Sequence, residues 1–334
     1  MNGNRRSFFK QAGTALAGMV ALPAAVDRLA TQAQAATGTL PLVAAFRHLL
    51  FLNNVFQGPL ISTEGGDAFA EVIDEPPDSS NIIGKHLGPV KYSDITVMVG
   101  ASMNMPFYQW LKDTTDRTPT KQSGSIVAAD FRFTSQTQLL FSNALINEIG
   151  FPALDASSRD PAMLTVRFTP ASTSVSAGTG GVTSVGRASS WLARNFRLTI
   201  AGLEAATAHV DSIEAMTIQA PLIPNADGLL FAGPLNIPDL IVTLPESTAG
   251  PFYDWHQSFV VQGNNGDDQE KSGSLQFLAP NLSQVLFTLT FSHLGIYAIE
   301  LVNNQASNEG IRRVRASMYC ESMSFNYAGE PTTT

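Results

Sequence analysis

Nine residues of this chain recur at one fixed offset of 145 positions: Gly88, Pro89, Asp94, Val97, Ser102, Pro106, Phe107, Tyr108 and Trp110 return as Gly233, Pro234, Asp239, Val242, Ser247, Pro251, Phe252, Tyr253 and Trp255. Unrelated segments of average composition would agree at only about one or two positions of such a 23-residue window, so a duplicated domain is the economical reading. Two copies of one fold are expected. The 334 residues leave room for both, each with a buried core of ordinary size.

Both copies read as mainly β. Ile95, Val97 and Val99 alternate with Thr96 and Met98, Leu164, Val166 and Phe168 with Thr165 and Arg167, and Phe196, Leu198 and Ile200 with Arg197 and Thr199. Val314, Ala316, Met318 and Cys320 continue the pattern, and Val285 to Leu289 reads as a central strand covered on both faces. After the first strand of each repeat, Ser102 and Ser247 stand four residues before Pro106 and Pro251, the spacing of a turn into a short helix with proline near its first position. That helix carries Phe107, Tyr108 and Trp110 in one copy and Phe252, Tyr253 and Trp255 in the other. Docked on the sheet, each ring would contribute roughly 2–3 kcal/mol. These six aromatics are the candidate structural and interaction residues. Ser123-Gly124-Ser125 and Ser272-Gly273-Ser274 are expected to be turns leading into the next strand.

Residues 1–35 read as a removable export signal. Arg5, Arg6, Phe9 and Lys10 precede a mild apolar run from Ala12 to Val26, and Ala33-Gln34-Ala35 offers a small-x-small cleavage site. The cluster is similar to the twin-arginine signal of bacteria, which implies a folded, periplasmic or secreted product. An ordinary amphipathic N-terminal helix or an uncleaved anchor is the other reading. No other stretch approaches the roughly 20 apolar residues of a membrane span, so no transmembrane anchor is expected once the leader is removed.

The formal charge is −8, from 20 basic and 28 acidic residues. Removing the leader takes away Arg5, Arg6, Lys10 and Arg28 but only Asp27, leaving 16 against 27, or −11. Such a surface argues against nucleic-acid binding, which needs cations to replace counterions on phosphate. The one basic cluster, Arg312-Arg313-Val314-Arg315, is expected at a strand start with its charges in solvent or an interface. Cys320 stands alone and cannot form an internal disulfide, and its alternation with Met318 and Ala316 suggests a buried, inert thiol. Only 14% of residues are charged, which fits either a surface partly covered by partners or one rich in small polar residues.

From Pro170 to Ser190 the chain becomes rich in Ser, Thr and Gly with no apolar period. The expected organisation is a leader at 1–35, a β domain at 41–171, a linker at 172–191 and a second β domain at 192–328.

The segments GKHLGPVKYSDITVMVGASMNMPFYQW, KQSGSIVAADFRF and FSNALINEIGFPAL resemble the tail-tube family of contractile phage tails and related injection systems. Copy two resembles it less closely, through NFRLTIAGLEAA, VDSIEAMTIQ, GPLNIPDLIVTLPESTAGPFYDW and EKSGSL. The resemblance covers both domains. It implies a compact β-barrel or sandwich with a flanking α-helix in each, no catalytic residue and no cofactor. It also implies self-association, with sheets joining edge to edge around a ring, and the repeat adds the expectation that three two-domain chains complete such a ring with six domains. A further, unidentified protein partner is compatible with it. The chain departs from the family in its leader, in Pro245 where copy one has Gly100, and in residues inserted before Lys271.

Chemistry-bearing patterns are sparse. His48, His86, His209, His256 and His293 form no spaced ligand set, and Gly263 to Glu270 lacks the ladder of a calcium loop and reads as a solvated turn. Ser184 is misplaced for a hydrolase elbow, and Gly178 and Gly180 do not start a dinucleotide fingerprint. No catalytic, cofactor or metal residue is assigned. Two alternatives stay open: a periplasmic ligand- or glycan-binding module using Trp110, Trp191 or Trp255, and an exported cofactor-dependent enzyme.

Overall fold

In the computed structural model, which describes residues 47–77, 81, 83–130, 132–178, 180–182, 191–225, 230–302 and 312–327, the alternating stretches become strands that bury one face each. Arg5, Arg6, Phe9 and Lys10 lie outside the described residues. The first half contributes β1 (Arg47–Leu52), β2 (Val55–Gly65), β3 (Ala68–Asp74), β4 (Lys85–Tyr92), β5 (Ile95–Val99), α1 (Met105–Thr115), β6 (Gln122–Ala129), β7 (Ser135–Phe151), β8 (Leu154–Asp155), β9 (Pro161–Ala162), β10 (Leu164–Thr169) and β11 (Ser172–Ala177). The second adds β12 (Trp191–Leu192), β13 (Phe196–Ile200), α2 (Glu204–Thr207), β14 (Ser212–Ile213), β15 (Met216–Gln219), β16 (Leu222–Pro224), β17 (Leu230–Ala232), β18 (Leu240–Pro245), α3 (Gly250–His256), β19 (Lys271–Leu278), β20 (Val285–Val302) and β21 (Arg313–Tyr327). The protein is mainly β.

In the first half, strands β10-β5-β2-β1-β6-β7 pair in that order, and β7 pairs back on β10. The sheet is closed into a six-stranded barrel, which leaves no free edge around it. Closure depends on the β1–β2 hairpin, whose two-residue turn Asn53-Asn54 has φ of 48° and 65°, a conformation asparagine tolerates. The second half runs the same order, β14-β18-β21-β20-β19-β13, but β13 and β14 do not pair. Residues 201–211, including α2, separate them and replace the tight hairpin, and β8 of the first half pairs with β14 instead.

The two halves share their interior. One apolar cluster includes Tyr108 and Phe151 from the first half with Phe277 and Phe325 from the second, where separate cores were expected. Strand pairs β8–β14, β9–β12 and β7–β15 also cross between them. The segment expected to be linker differs as well, since residues 172–177 form β11 along β7. Backbone pairing, rather than apolar burial, holds that polar strand.

Ser123-Gly124-Ser125 and Ser272-Gly273-Ser274 are not turns but lie within β6 and β19, where the register shifts. Glycine is required there by close approach. A Cβ on Gly124 would stand 2.1 Å from the Phe51 carbonyl oxygen and 2.8 Å from the Phe141 ring, and one on Gly273 would stand 2.7 Å from the Thr199 carbonyl oxygen. Gly124→Ala is therefore expected to cost about 2 kcal/mol or more, read as a lower urea midpoint at unchanged slope. An unchanged midpoint would mean that the strands part without penalty.

Candidate functional site

Helix α1 starts where the sequence places it, after Asn104 in an extended conformation and with Pro106 in its first turn. The buried Gln57 accepts the Phe107 N–H at 3.1 Å, and the Asn104 side-chain amide donates to the Phe56 carbonyl at 2.8 Å, anchoring the helix start on β2. Phe107, Tyr108, Trp110 and Leu111 are all buried. Trp110 packs 5.2 Å from Phe168 of its own barrel and donates its indole N–H to the Thr120 carbonyl.

Tyr108 turns toward the second half. Its ring stacks on Tyr327 at 4.1 Å and faces Phe325 at 6.0 Å, and burial pushes its phenol well above the usual tyrosine range. The end of α1 adds hydrogen bonds to β21. Thr115 Oγ1 accepts the Phe325 N–H at 3.0 Å, Asp116 accepts the Ser324 hydroxyl at 2.7 Å, and Arg117 reaches the Glu321 carbonyl at 3.4 Å. The first aromatic helix thus docks across the two halves.

The second helix starts at the equivalent position and continues through a π-helical turn, Gln257–Val261. Phe252 and Trp255 are buried, but Tyr253, the counterpart of Tyr108, is 36% exposed. Val260 and Val261, counterparts of Thr115 and Asp116, are 43% and 61% exposed.

A second correspondence was readable in the sequence and was missed. Phe141, Ser142, Ile146 and Ile149 recur as Phe291, Ser292, Ile296 and Ile299, at an offset of 150 rather than 145. Residues inserted before Lys271 carry the offset from 145 to 149, where Ser123-Gly124-Ser125 recur as Ser272-Gly273-Ser274, and one more residue before the long strand brings it to 150. The structure supports the alignment: Asn143 and His293 both have left-handed backbone, at φ of 47° and 57°, and Gly124 opposite Phe141 matches Gly273 opposite Phe291. The repeated aspartates also have a structural role. Asp94 accepts the Asn147 amide at 2.8 Å and the Thr169 hydroxyl at 2.6 Å, while Asp239 accepts the Tyr297 hydroxyl at 2.7 Å.

Other candidates sit in ordinary surroundings. Arg312 pairs with Glu246, Arg313 with Asp211, and Arg315 with Glu214 and Glu300. Burial pushes the Cys320 thiol up to about 11, which leaves little thiolate at neutral pH. Trp110, Trp191 and Trp255 are buried, so none offers an exposed ring to a glycan. The mouth of a cleft of about 340 Å³ is bordered by Gly66, Ala128, Leu139, Thr173 and Val175.

The histidines remain scattered except His293. Its Nδ1 lies 2.7 Å from Glu270, whose other oxygen accepts the Tyr319 hydroxyl at 2.6 Å, and Glu321 is close by. Both oxygens of Glu270 are thus engaged within the protein. The hydrogen bond to Glu270 holds the His293 pKa above its ordinary 6.5, so the protonated ring favours the folded state. That contribution is complete below pH 6.5 and is lost as pH rises through the raised folded value. His293→Gln should therefore lower the melting temperature most below pH 6.5, with a deficit that shrinks in alkaline buffer. A deficit independent of pH would contradict this assignment.

No protein-family model and no curated protein matches the sequence. Among solved structures, the chain is similar to the sheath-tube complex of an extracellular contractile injection system, PVC, in its extended state, with 18% identity and a TM-score of 0.37 over 43% of this chain and 97% of that one. It is also similar to the tube-terminating cap of the anti-feeding prophage, with 18% identity and a TM-score of 0.35 over 40% of this chain and 91% of that one. A third similarity is to Hcp1 from Flavobacterium johnsoniae, with 15% identity and a TM-score of 0.25 over 40% of this chain and 95% of that one.

Proposed function

We propose that this chain is a noncatalytic structural protein made of two tail-tube-like repeats that share one core, and that it self-associates through strand edges. Its leader directs it by the twin-arginine route to the periplasm or beyond. Three chains complete a six-domain ring. The observation that carries this reading is the shared strand order of the two halves, together with their contact, in which β7 of one half pairs edge to edge with β15 of the other. A sheet that already extends from one repeat to the next has the geometry of an assembly unit.

The reading is further supported by the candidate aromatics. Phe107, Tyr108, Trp110, Phe252 and Trp255 are spent on packing, and Tyr253 faces outward with two valines beside it. The excess of acidic residues argues against nucleic acid.

Sedimentation of the protein freed of residues 1–35 tests the proposal. Its mass should rise with concentration to a discrete multiple of the single chain, and a monomer at every concentration would overturn self-association.

A further inference from the structure

The first half holds the second at two places, and both use elements that occur twice. The end of β7 lies along β15, with Glu148 opposite Gln219, Ile149 opposite Ile218, Gly150 opposite Thr217 and Phe151 opposite Met216. Phe151 buries its ring in a socket beside Phe277 and Phe325, at 6.0 and 6.3 Å. Next to it, α1 covers the end of β21 through Tyr108 and Thr115.

Strand pairing fixes which residues correspond. Val166 is opposite Val97 and Ala316 opposite Val242, while Ser172 is opposite Ser142 and Ser322 opposite Ser292, so β10 and β11 together match β21 at an offset of 150. Thr63 opposite Val97 and Ile213 opposite Val242 match residues 66–69 with β15 at the same offset. The end of β20 then corresponds to the end of β7, and Leu301 to Phe151.

The counterparts in the second half have no such cover among the described residues. Residues 298–301 of β20 pair with β21 on one side only, and Leu301 is 44% exposed. Tyr253 on α3 and Val260 on the π-helical turn after it are exposed, and Val175, the counterpart of Phe325, is 74% exposed on β11. Phe151 is opposite Met216 and packs beside Phe277 and Phe325; Gly66 and Val175 match Met216 and Phe325 at the offset of 150, Ala128, opposite Thr137 as Phe277 is opposite Phe287, matches Phe277 at 149, and all three border the 340 Å³ cleft. Smaller side chains stand where the filled socket has large ones.

We infer that the second half of one copy binds the first half of another by repeating the contact made within the chain, a deepening that rests on the self-association proposed above. Leu301 enters the cleft as Phe151 enters its socket. The end of β20 pairs with residues 66–69 in the register Leu301 with Gly66, Glu300 with Asp67, Ile299 with Ala68 and Ala298 with Phe69. Tyr253 and Val260 cover Val175 on β11. Arg315, 3.4 Å from Glu300, offsets the one like-charged pair in this register. The contact is head-to-tail, so each copy offers both faces and a closing rotation makes a ring.

Cysteine cross-linking tests the register, because residues directly opposite in an antiparallel pair lie within disulfide reach. Asp67→Cys and Glu300→Cys change exposed side chains and are purified as separate proteins. Under mild oxidation the mixture should give a dimer on a non-reducing gel, and neither protein alone should. A dimer from either alone would indicate a symmetric contact and overturn the proposal. A mixture that assembles by light scattering without cross-linking would overturn these surfaces while leaving self-association standing, and a mixture that stays monomeric would remove both. In parallel, Val175→Glu should weaken assembly about tenfold or more by placing a charge in the filled cleft, with no change in melting temperature of the dilute protein. Assembly of that variant at unchanged strength would also overturn the proposal.

Discussion

Replacing Tyr108 with alanine is expected to destabilise both halves together by about 3–5 kcal/mol, the range for removing a large buried ring. The phenol is buried between its own barrel and β21, where it stacks on Tyr327 and faces Phe325. Its loss opens a cavity in a cluster that continues through both halves. Thermal or urea unfolding followed by tryptophan fluorescence should therefore show one transition at a lower midpoint, because Trp110 reports on the first half and Trp255 on the second. Two separated transitions, with only one of them moved, would mean that the halves are energetically independent. Tyr253→Ala is the internal comparison. The same chemical change at an exposed ring should cost well under about 1 kcal/mol in the dilute protein.

Phe151→Ala should lower stability by a similar amount, about 3–5 kcal/mol. The ring fills the socket beside Phe277 and Phe325, and its strand carries the pairing to β15. Tyr108 and Phe151 both touch Phe325, so the double replacement should not be the sum of the two. A double-mutant cycle measured by urea denaturation reads this directly. Strict additivity would show that the two contacts work separately, contrary to a shared socket.

Much of the architecture could be read from residue order. The Ile95–Val99 and Leu240–Pro245 strands and the proline-led aromatic helices stand where their alternation and turn residues put them. Residues 172–177 did not announce themselves, because Ser-Thr-Ser-Val-Ser-Ala has no apolar face to count and Val175 is left in solvent. That strand exists through backbone hydrogen bonds to β7, a long-range partner that a local pattern does not reveal. The shared core was hidden for a related reason. Phe151 and Tyr108 look like ordinary core residues of the first half, and only the tertiary arrangement directs them into the second. The socket itself became legible once the offset changed from 145 to 150 between the helix and the long strand. A single-offset comparison cannot follow an insertion.

On the proposed assembly, the contact between the two halves of one chain recurs between copies. Negative-stain images of the protein freed of residues 1–35 test it most directly. Closed rings with an even number of similar lobes, two from each chain, are expected. Isolated two-lobed particles at every concentration would contradict it.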